Sequence, residues 1–205
     1  MKKLLFILLF IPLTLFSQEN VLNRETIKDE YIKEIDGILY YNEKPYNGVF
    51  YGNFVNGQLK YKINYKDGKL NGLHEWYFVN GNLMGKRNYK DGKDNGLSEW
   101  YYENGQIYIK QNYKDDNYNG LYEEYYENGQ LKESYISKDG KLIGVKLIYY
   151  ENGQLRGRVN YLYGKKDGLT EVYSESGQLE KKILYKDDEI ILNYRSIIGD
   201  TNIED

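Results

Sequence analysis

The chain of 205 residues has no cysteine, one histidine and two prolines. Without cysteine there is no disulfide, no thiolate metal site, no thiol nucleophile and no lipid-modified residue behind a leader. A single histidine, His74, supplies neither a tetrahedral zinc site nor a Cys/His catalytic pair. The scarcity of proline, and the lack of any long Ser/Gly-rich stretch, argue against a disordered linker. No excess of positive charge exists either. The 28 basic and 31 acidic residues alternate, which excludes nucleic acid and argues against an anionic membrane surface as the main partner. The chain has one long apolar run, Leu4 to Phe16, behind Met1-Lys2-Lys3 and before Ser17-Gln18-Glu19. That order reads as a secretory signal peptide, residues 1–17, cleaved after Ser17. The run is too short to persist as a spanning helix, so no integral membrane association is expected after cleavage. Once Lys2 and Lys3 are lost, 26 basic residues face 31 acidic ones, a net charge of −5. The expected product is secreted or periplasmic.

What the chain has in abundance is tyrosine, 25 residues, and glycine, 21 residues. Glycine recurs at 48, 72, 96, 120, 144 and 168, and again at 57, 81, 105, 129, 153 and 177, in both series at a step of 24. A third series, Gly68, Gly92, Gly140 and Gly164, has Asp116 and Asp188 in its gaps. A register without insertions defines a tandem array before any local propensity is weighed. No helical period of 3.6 appears within it.

One unit runs from Asn95-Gly96-Leu97 through Trp100-Tyr101-Tyr102-Glu103-Asn104-Gly105 to Tyr113-Lys114. Asn-Gly between two apolar runs predicts a β-hairpin with a type I′ turn, both central residues at positive φ. With Asn104 and Gly105 at the tip, Tyr102 should face Ile107, Trp100 should face Ile109, and Gly96 should face Tyr113. A strand glycine opposite a tyrosine suggests a ring lying across bare backbone. A second turn, Lys66-Asp67-Gly68-Lys69 and its copies, joins successive hairpins.

Alternation sorts the side chains onto two faces. One is expected to collect Trp76, Phe78, Trp100, Tyr102, Tyr126, Ile148, Tyr150 and the Leu/Ile series at 59, 83, 107, 131, 155 and 179. The other should carry Glu75 opposite Lys86, Glu99 opposite Lys110 and Glu171 opposite Lys182, with Tyr77, Tyr101, Tyr125, Tyr149 and Tyr173. The fold class is therefore all-β: 24-residue hairpin repeats forming a single elongated, twisted antiparallel meander of about 13 strands. Its parts are a lead-in cap at 18–37, the array at 38–188 with about six repeats, and a C-terminal cap and polar tail at 189–205. Ile190, Ile191 and Leu192 are expected to close the core.

Chemistry is sparse. His74 occupies a position filled elsewhere by Ser98, Tyr122, Lys146 and Thr170, which reads as tolerant and structural. By the same tolerance, Ser98→Val should be mild. Repeat-borne glutamates have near-equal environments and suit cross-strand pairing better than acid–base catalysis. Asp115-Asp116-Asn117 and Asp187-Asp188-Glu189 offer oxygen ligands for calcium but lack a full set. No catalytic residue, metal site or cofactor is assigned.

The pattern Gly-Leu-x-Glu-Trp-Tyr-Tyr-Glu-Asn-Gly-Gln-Leu-Lys followed by Tyr-Lys-Asp-Gly, carried most closely by 96–114 and 72–92, resembles the MORN-repeat variant family, often described as bacterial antitoxin repeats. The resemblance covers about residues 38–188 and implies a single-layer hairpin array with a role in protein contacts and no catalytic motif. The leading expectation is a non-enzymatic scaffold for a protein partner, bound through Tyr77, Tyr101, Tyr125, Tyr149 and Tyr173. The same tyrosines could instead stack on an envelope glycan, and an immunity or antitoxin-type role is the third reading.

Overall fold

The computed structural model describes residues 21–195 and 203–204, so the leader and its cleavage site lie outside the described residues. The lead-in contains β1 (Val21–Asn23), a 3-10 turn (Asp29–Tyr31), β2 (Ile32–Ile35), β3 (Ile38–Tyr41) and β4 (Lys44–Pro45). The array follows as β5 (Gly48–Asn53), β6 (Leu59–Lys66), β7 (Lys69–Tyr77), β8 (Leu83–Lys90), β9 (Lys93–Tyr101) and β10 (Ile107–Lys114). It continues through β11 (Asn117–Tyr125), β12 (Leu131–Lys138), β13 (Lys141–Tyr149), β14 (Leu155–Leu162), β15 (Lys165–Tyr173) and β16 (Leu179–Lys186). The last strands are β17 (Glu189–Arg195) and β18 (Ile203–Glu204). Strands β5 to β18 pair antiparallel in chain order, and β1 adds to β5 in parallel. The result is an open sheet of 15 strands, longer than the expected meander because β1 and β18 extend its edges.

The half-repeat at 38–47 does not join that sheet. It folds with β2 into a separate sheet, β2-β3-β4. Two tight turns, at Asp36-Gly37 and Asn42-Glu43, all with positive φ, hold these short strands on one another. Pro45, which has no N–H to donate, ends β4. This cap supplies the chain's densest packing: Leu39, Tyr46 and Phe50 are buried together, with Leu22, Ile32, Tyr61 and Tyr65 against them. At the other end Ile190 and Ile191 are 58% and 57% exposed and close no core, because no second layer lies over β17 among the described residues.

The two turn types are exchanged relative to expectation. At each Asn-Gly only the glycine has positive φ, for example 86° at Gly105. The Gly105 amide donates to the Tyr102 carbonyl, and the Tyr102 amide donates to that of Gln106. This is a three-residue loop in which a glycine in the left-handed region follows an ordinary turn. The Asn104 carboxamide oxygen accepts the Gln106 amide at 2.9 Å, so asparagine stabilises the loop from its side chain. The two-residue turns with both φ positive are instead Asp67-Gly68 and its copies, including Asp115-Asp116, Tyr163-Gly164 and Asp187-Asp188.

The longer loop shifts the pairing by one residue, and a bulge immediately restores it. Tyr101 pairs with Ile107, then Trp100 with Ile109 and Gly96 with Tyr113. Thus the expected Trp100 and Gly96 pairs form, whereas Tyr102 with Ile107 does not. The bulge also changes faces. Pairs Tyr77–Leu83, Tyr125–Leu131, Tyr149–Leu155 and Tyr173–Leu179 place the leucine series on the glutamate face, not beside the tryptophans. The bulge residues turn the other way: Tyr108 packs on Tyr102 at 4.9 Å, and Lys132 and Arg156 lie over Tyr126 and Tyr150.

The strand glycines serve a different contact from the expected one. A Cβ on Gly96, whose φ is +106°, would meet Asn88 at 3.5 Å and not the ring of Tyr113. Asn88 donates its carboxamide to the Leu97 carbonyl at 2.8 Å, bridging an interruption of the ladder between Arg87 and Tyr89. Asn64, Asn112 and Asn160 repeat the bond to Leu73, Leu121 and Leu169. Rings do cover bare backbone elsewhere, Tyr61 over Gly52 and Trp100 over Gly85.

Candidate functional site

A single-layer sheet leaves most side chains half-buried, so a site must be a local concentration on one face. The tryptophan face has one. His74 stacks on Trp76 at 3.8 Å and Trp76 on Trp100 at 5.2 Å. Arg87 lies over both Trp100 and Tyr113, at 5.7 and 5.3 Å. Tyr113 packs against Tyr118 at 5.0 Å, and Tyr122 stacks on Tyr135 at 4.5 Å. Strands β7 to β12 thus carry a continuous strip of rings, produced because repeats 2 to 4 place aromatics where later repeats place Ile148, Val159 and Val172.

Within the strip lies a cleft of about 470 Å³ whose walls include Met84, Trp100, Tyr108, Gln111, Tyr122 and Tyr135. Its charged neighbours are matched in pairs. Lys132 meets Glu124 at 2.6 Å, Lys146 meets Glu133 at 2.7 Å and Arg87 meets Asp94 at 3.2 Å. The second Glu124 oxygen accepts the Tyr122 hydroxyl at 3.2 Å. Gln111, 7% exposed, donates to the Tyr113 hydroxyl at 2.7 Å. Burial pushes Tyr135 up to about 12, with Glu133 reinforcing the shift, and burial and Glu124 together raise Tyr122. These phenols stay neutral hydrogen-bond donors at physiological pH.

The tyrosines singled out in the sequence, Tyr77, Tyr101, Tyr125, Tyr149 and Tyr173, end β7, β9, β11, β13 and β15 and are each half-buried on the glutamate face. The structure sets each beside a leucine or isoleucine and brings no two of them into ring contact among the described residues. Their carbonyls have a role that the sequence reading missed. Tyr102, Tyr126 and Tyr150 donate hydroxyls to the carbonyls of Tyr125, Tyr149 and Tyr173, one repeat onward, at 2.8, 2.9 and 2.9 Å. The separation of 23 residues between donor and acceptor was a usable signal. The expected opposed charges form as Cα pairs, but Glu99 closes on Lys86 of β8, at 2.6 Å, and not on Lys110.

The position holding Ser98 is not tolerant in the expected sense. Ser98 is 0% exposed and Thr170 7%, and neither hydroxyl has a partner among the described residues. His74, its counterpart, also has both ring nitrogens buried without partners, and burial, with the Arg87 charge, lowers it to about 4. A neutral stacked ring is what the structure gives it. Asp116 and Asp188, considered as calcium ligands, accept the backbone amides of Asp94 and Lys166 at 2.8 Å each, tying each turn to the repeat before. No group of three or more His, Asp or Glu residues that could hold a metal occurs among the described residues.

The repeat geometry now has a counterpart among known families. The model of the MORN repeat variant matches six times, at residues 46–67, 70–91, 94–115, 118–139, 142–163 and 166–187. The chain belongs to the MORN repeat variant family. The matched segments start and stop at the Asp-Gly turns, so each MORN unit is two strands around one three-residue Asn-Gly loop. MORN repeats are a non-catalytic type that makes contacts with proteins or membranes. A comparison with curated proteins finds no match. No helix among the described residues is long and apolar enough to cross a membrane.

Proposed function

We propose that this MORN-repeat chain is a non-enzymatic scaffold that holds another protein, and that it acts after export, its leader removed behind Ser17. The observation that carries the reading is the uncovered aromatic strip. In a sheet of 15 strands only five hydrophobic residues are fully buried, three of them in the N-terminal cap cluster, so the rings of β7 to β12 are not spent on a core. Aromatic anchors in a partly desolvated cleft with a polar rim are what protein interfaces use. The net charge of −5 without the leader favours a protein over an anionic lipid surface. The row from Tyr77 to Tyr173 is the second candidate face of the same scaffold.

The test is capture from an envelope extract on immobilised chain starting at Gln18, with Tyr122→Ala and Tyr149→Ala as one variant on each face. A specific protein retained by the wild-type chain and released by one of the two supports the reading. Retention of polysaccharide with no specific protein would overturn it in favour of glycan binding. Terminal sequencing of the exported product checks the cleavage position.

A further inference from the structure

Resting on the interaction reading, we propose that the cleft between Met84 and Tyr135 is its recognition pocket and takes an uncharged, proline-rich extended segment of the partner. The argument is one of complementarity. Every charge bordering the cleft is already answered by an opposite one at 2.6 to 3.2 Å, so a charged ligand would gain no new pairing and would lose solvation. The carboxylate of Glu124 is committed at both oxygens, to Lys132 and to Tyr122. Two donors remain: among the described residues the Tyr108 and Tyr135 hydroxyls meet no hydrogen-bond partner. A site of ring faces and free hydroxyl donors suits a ligand made of apolar rings and bare carbonyl acceptors. A proline-rich strand is that ligand, since proline brings a ring, keeps its carbonyl and has no N–H needing an acceptor. A sugar, with several hydroxyl donors, would need acceptor side chains that this cleft has already used.

Geometry agrees. Trp100 on β9 and Tyr122 on β11 stand two strands apart, about 9.6 Å at the usual strand spacing. A polyproline II helix repeats every three residues, about 9.3 Å. Successive turns of such a segment, laid across β8 to β12, would meet equivalent positions of successive repeats. Its low conformational freedom also reduces the ordering cost of binding.

The test titrates the mature chain with a capped, uncharged proline-rich peptide of about ten residues, followed by tryptophan fluorescence and calorimetry. The same peptide with alanine for proline and a neutral glucan oligosaccharide are the controls. The expected result is saturable binding of the proline peptide alone, weakened roughly tenfold by Tyr108→Ala and by a smaller factor in Tyr135→Phe. Tyr108 is 36% exposed, and Tyr135→Phe removes only a hydroxyl, so neither change threatens the fold. No binding, equal binding of the alanine peptide, preference for the oligosaccharide, or indifference to both variants would each overturn the proposal. If the peptide does not bind but Tyr108→Ala still releases a captured envelope protein, this inference fails while the scaffold reading stands.

Discussion

Replacing Thr170 by valine should stabilise the protein, although it removes a polar side chain from a sheet. Thr170 is 7% exposed and its hydroxyl oxygen is fully covered with no hydrogen-bond partner among the described residues. Valine has the same shape, so the change deletes an unanswered polar group without making a cavity. An unsatisfied buried hydroxyl costs about 1–3 kcal/mol, and relief of the lower part of that range, about 1 kcal/mol, is expected. For a chain of this size that corresponds to a rise in Tm of about 2–4 °C. Ser98, at the equivalent position and 0% exposed, separates the polar effect from the steric one. Ser98→Ala should also raise Tm, whereas Ser98→Val forces extra methyl groups into a filled site and should cost about 1–3 kcal/mol. Thermal unfolding by circular dichroism of the four proteins decides it. A lowered Tm for Thr170→Val, or an unchanged one for Ser98→Val, would refute the claim that this row is packed tightly on the tryptophan face.

Four further outcomes follow from other contacts. His74 is held at about 4 against an ordinary 6.5, so the folded state resists protonation; its contribution is present above pH 6.5 and is lost as pH falls towards 4. Allowing for screening at a half-buried site, the loss should be about 1–2 kcal/mol, and His74→Tyr should flatten the plot of stability against pH over that window; an unchanged slope would count against it. Gly96→Ala places a side chain at φ +106° and 3.5 Å from Asn88, and a loss of about 1–3 kcal/mol in urea unfolding is expected. Tyr163, 68% exposed at φ 49° in a two-residue turn, should gain about 0.5–1 kcal/mol on replacement by asparagine, measured the same way. Alanine scanning of Tyr77, Tyr101, Tyr125, Tyr149 and Tyr173 should give uneven losses in partner capture, because a few hot spots dominate a protein interface; even losses at all five, with retention on a glycan gel, would reverse the ranking of partners.

The period made the architecture legible, because a fixed step leaves few ways to fold besides stacked hairpins. Local geometry was less legible. Asn-Gly favours a type I′ turn in isolation, yet here the asparagine bonds its side chain to Gln58, Gln106 or Gln130 at its own loop, and the loop grows to three residues. The bulge at Tyr108 then cancels the error, so distant pairs such as Gly96 with Tyr113 came out right and the adjacent Ile107 came out on the wrong face. The half-repeat at 38–47 carried the repeat's residues but lacked strand length, and folded off the sheet.

The site was hidden by the same regularity that revealed the fold. A residue kept in every repeat must satisfy every repeat, and the structure shows such residues engaged in joining them: glycine and asparagine at the turns, tyrosine hydroxyls on carbonyls 23 residues away. Recognition of one particular partner needs asymmetry, and asymmetry can only come from positions where the repeats disagree. On the tryptophan face the row through Trp76, Trp100, Glu124, Ile148 and Val172, and the row through His74, Ser98, Tyr122, Lys146 and Thr170, disagree most. Their differences concentrate rings on β7 to β12 and leave the later strands aliphatic. A search for periodic residues passes over these rows, and a search for the departures from the period leads to the cleft beside Trp100.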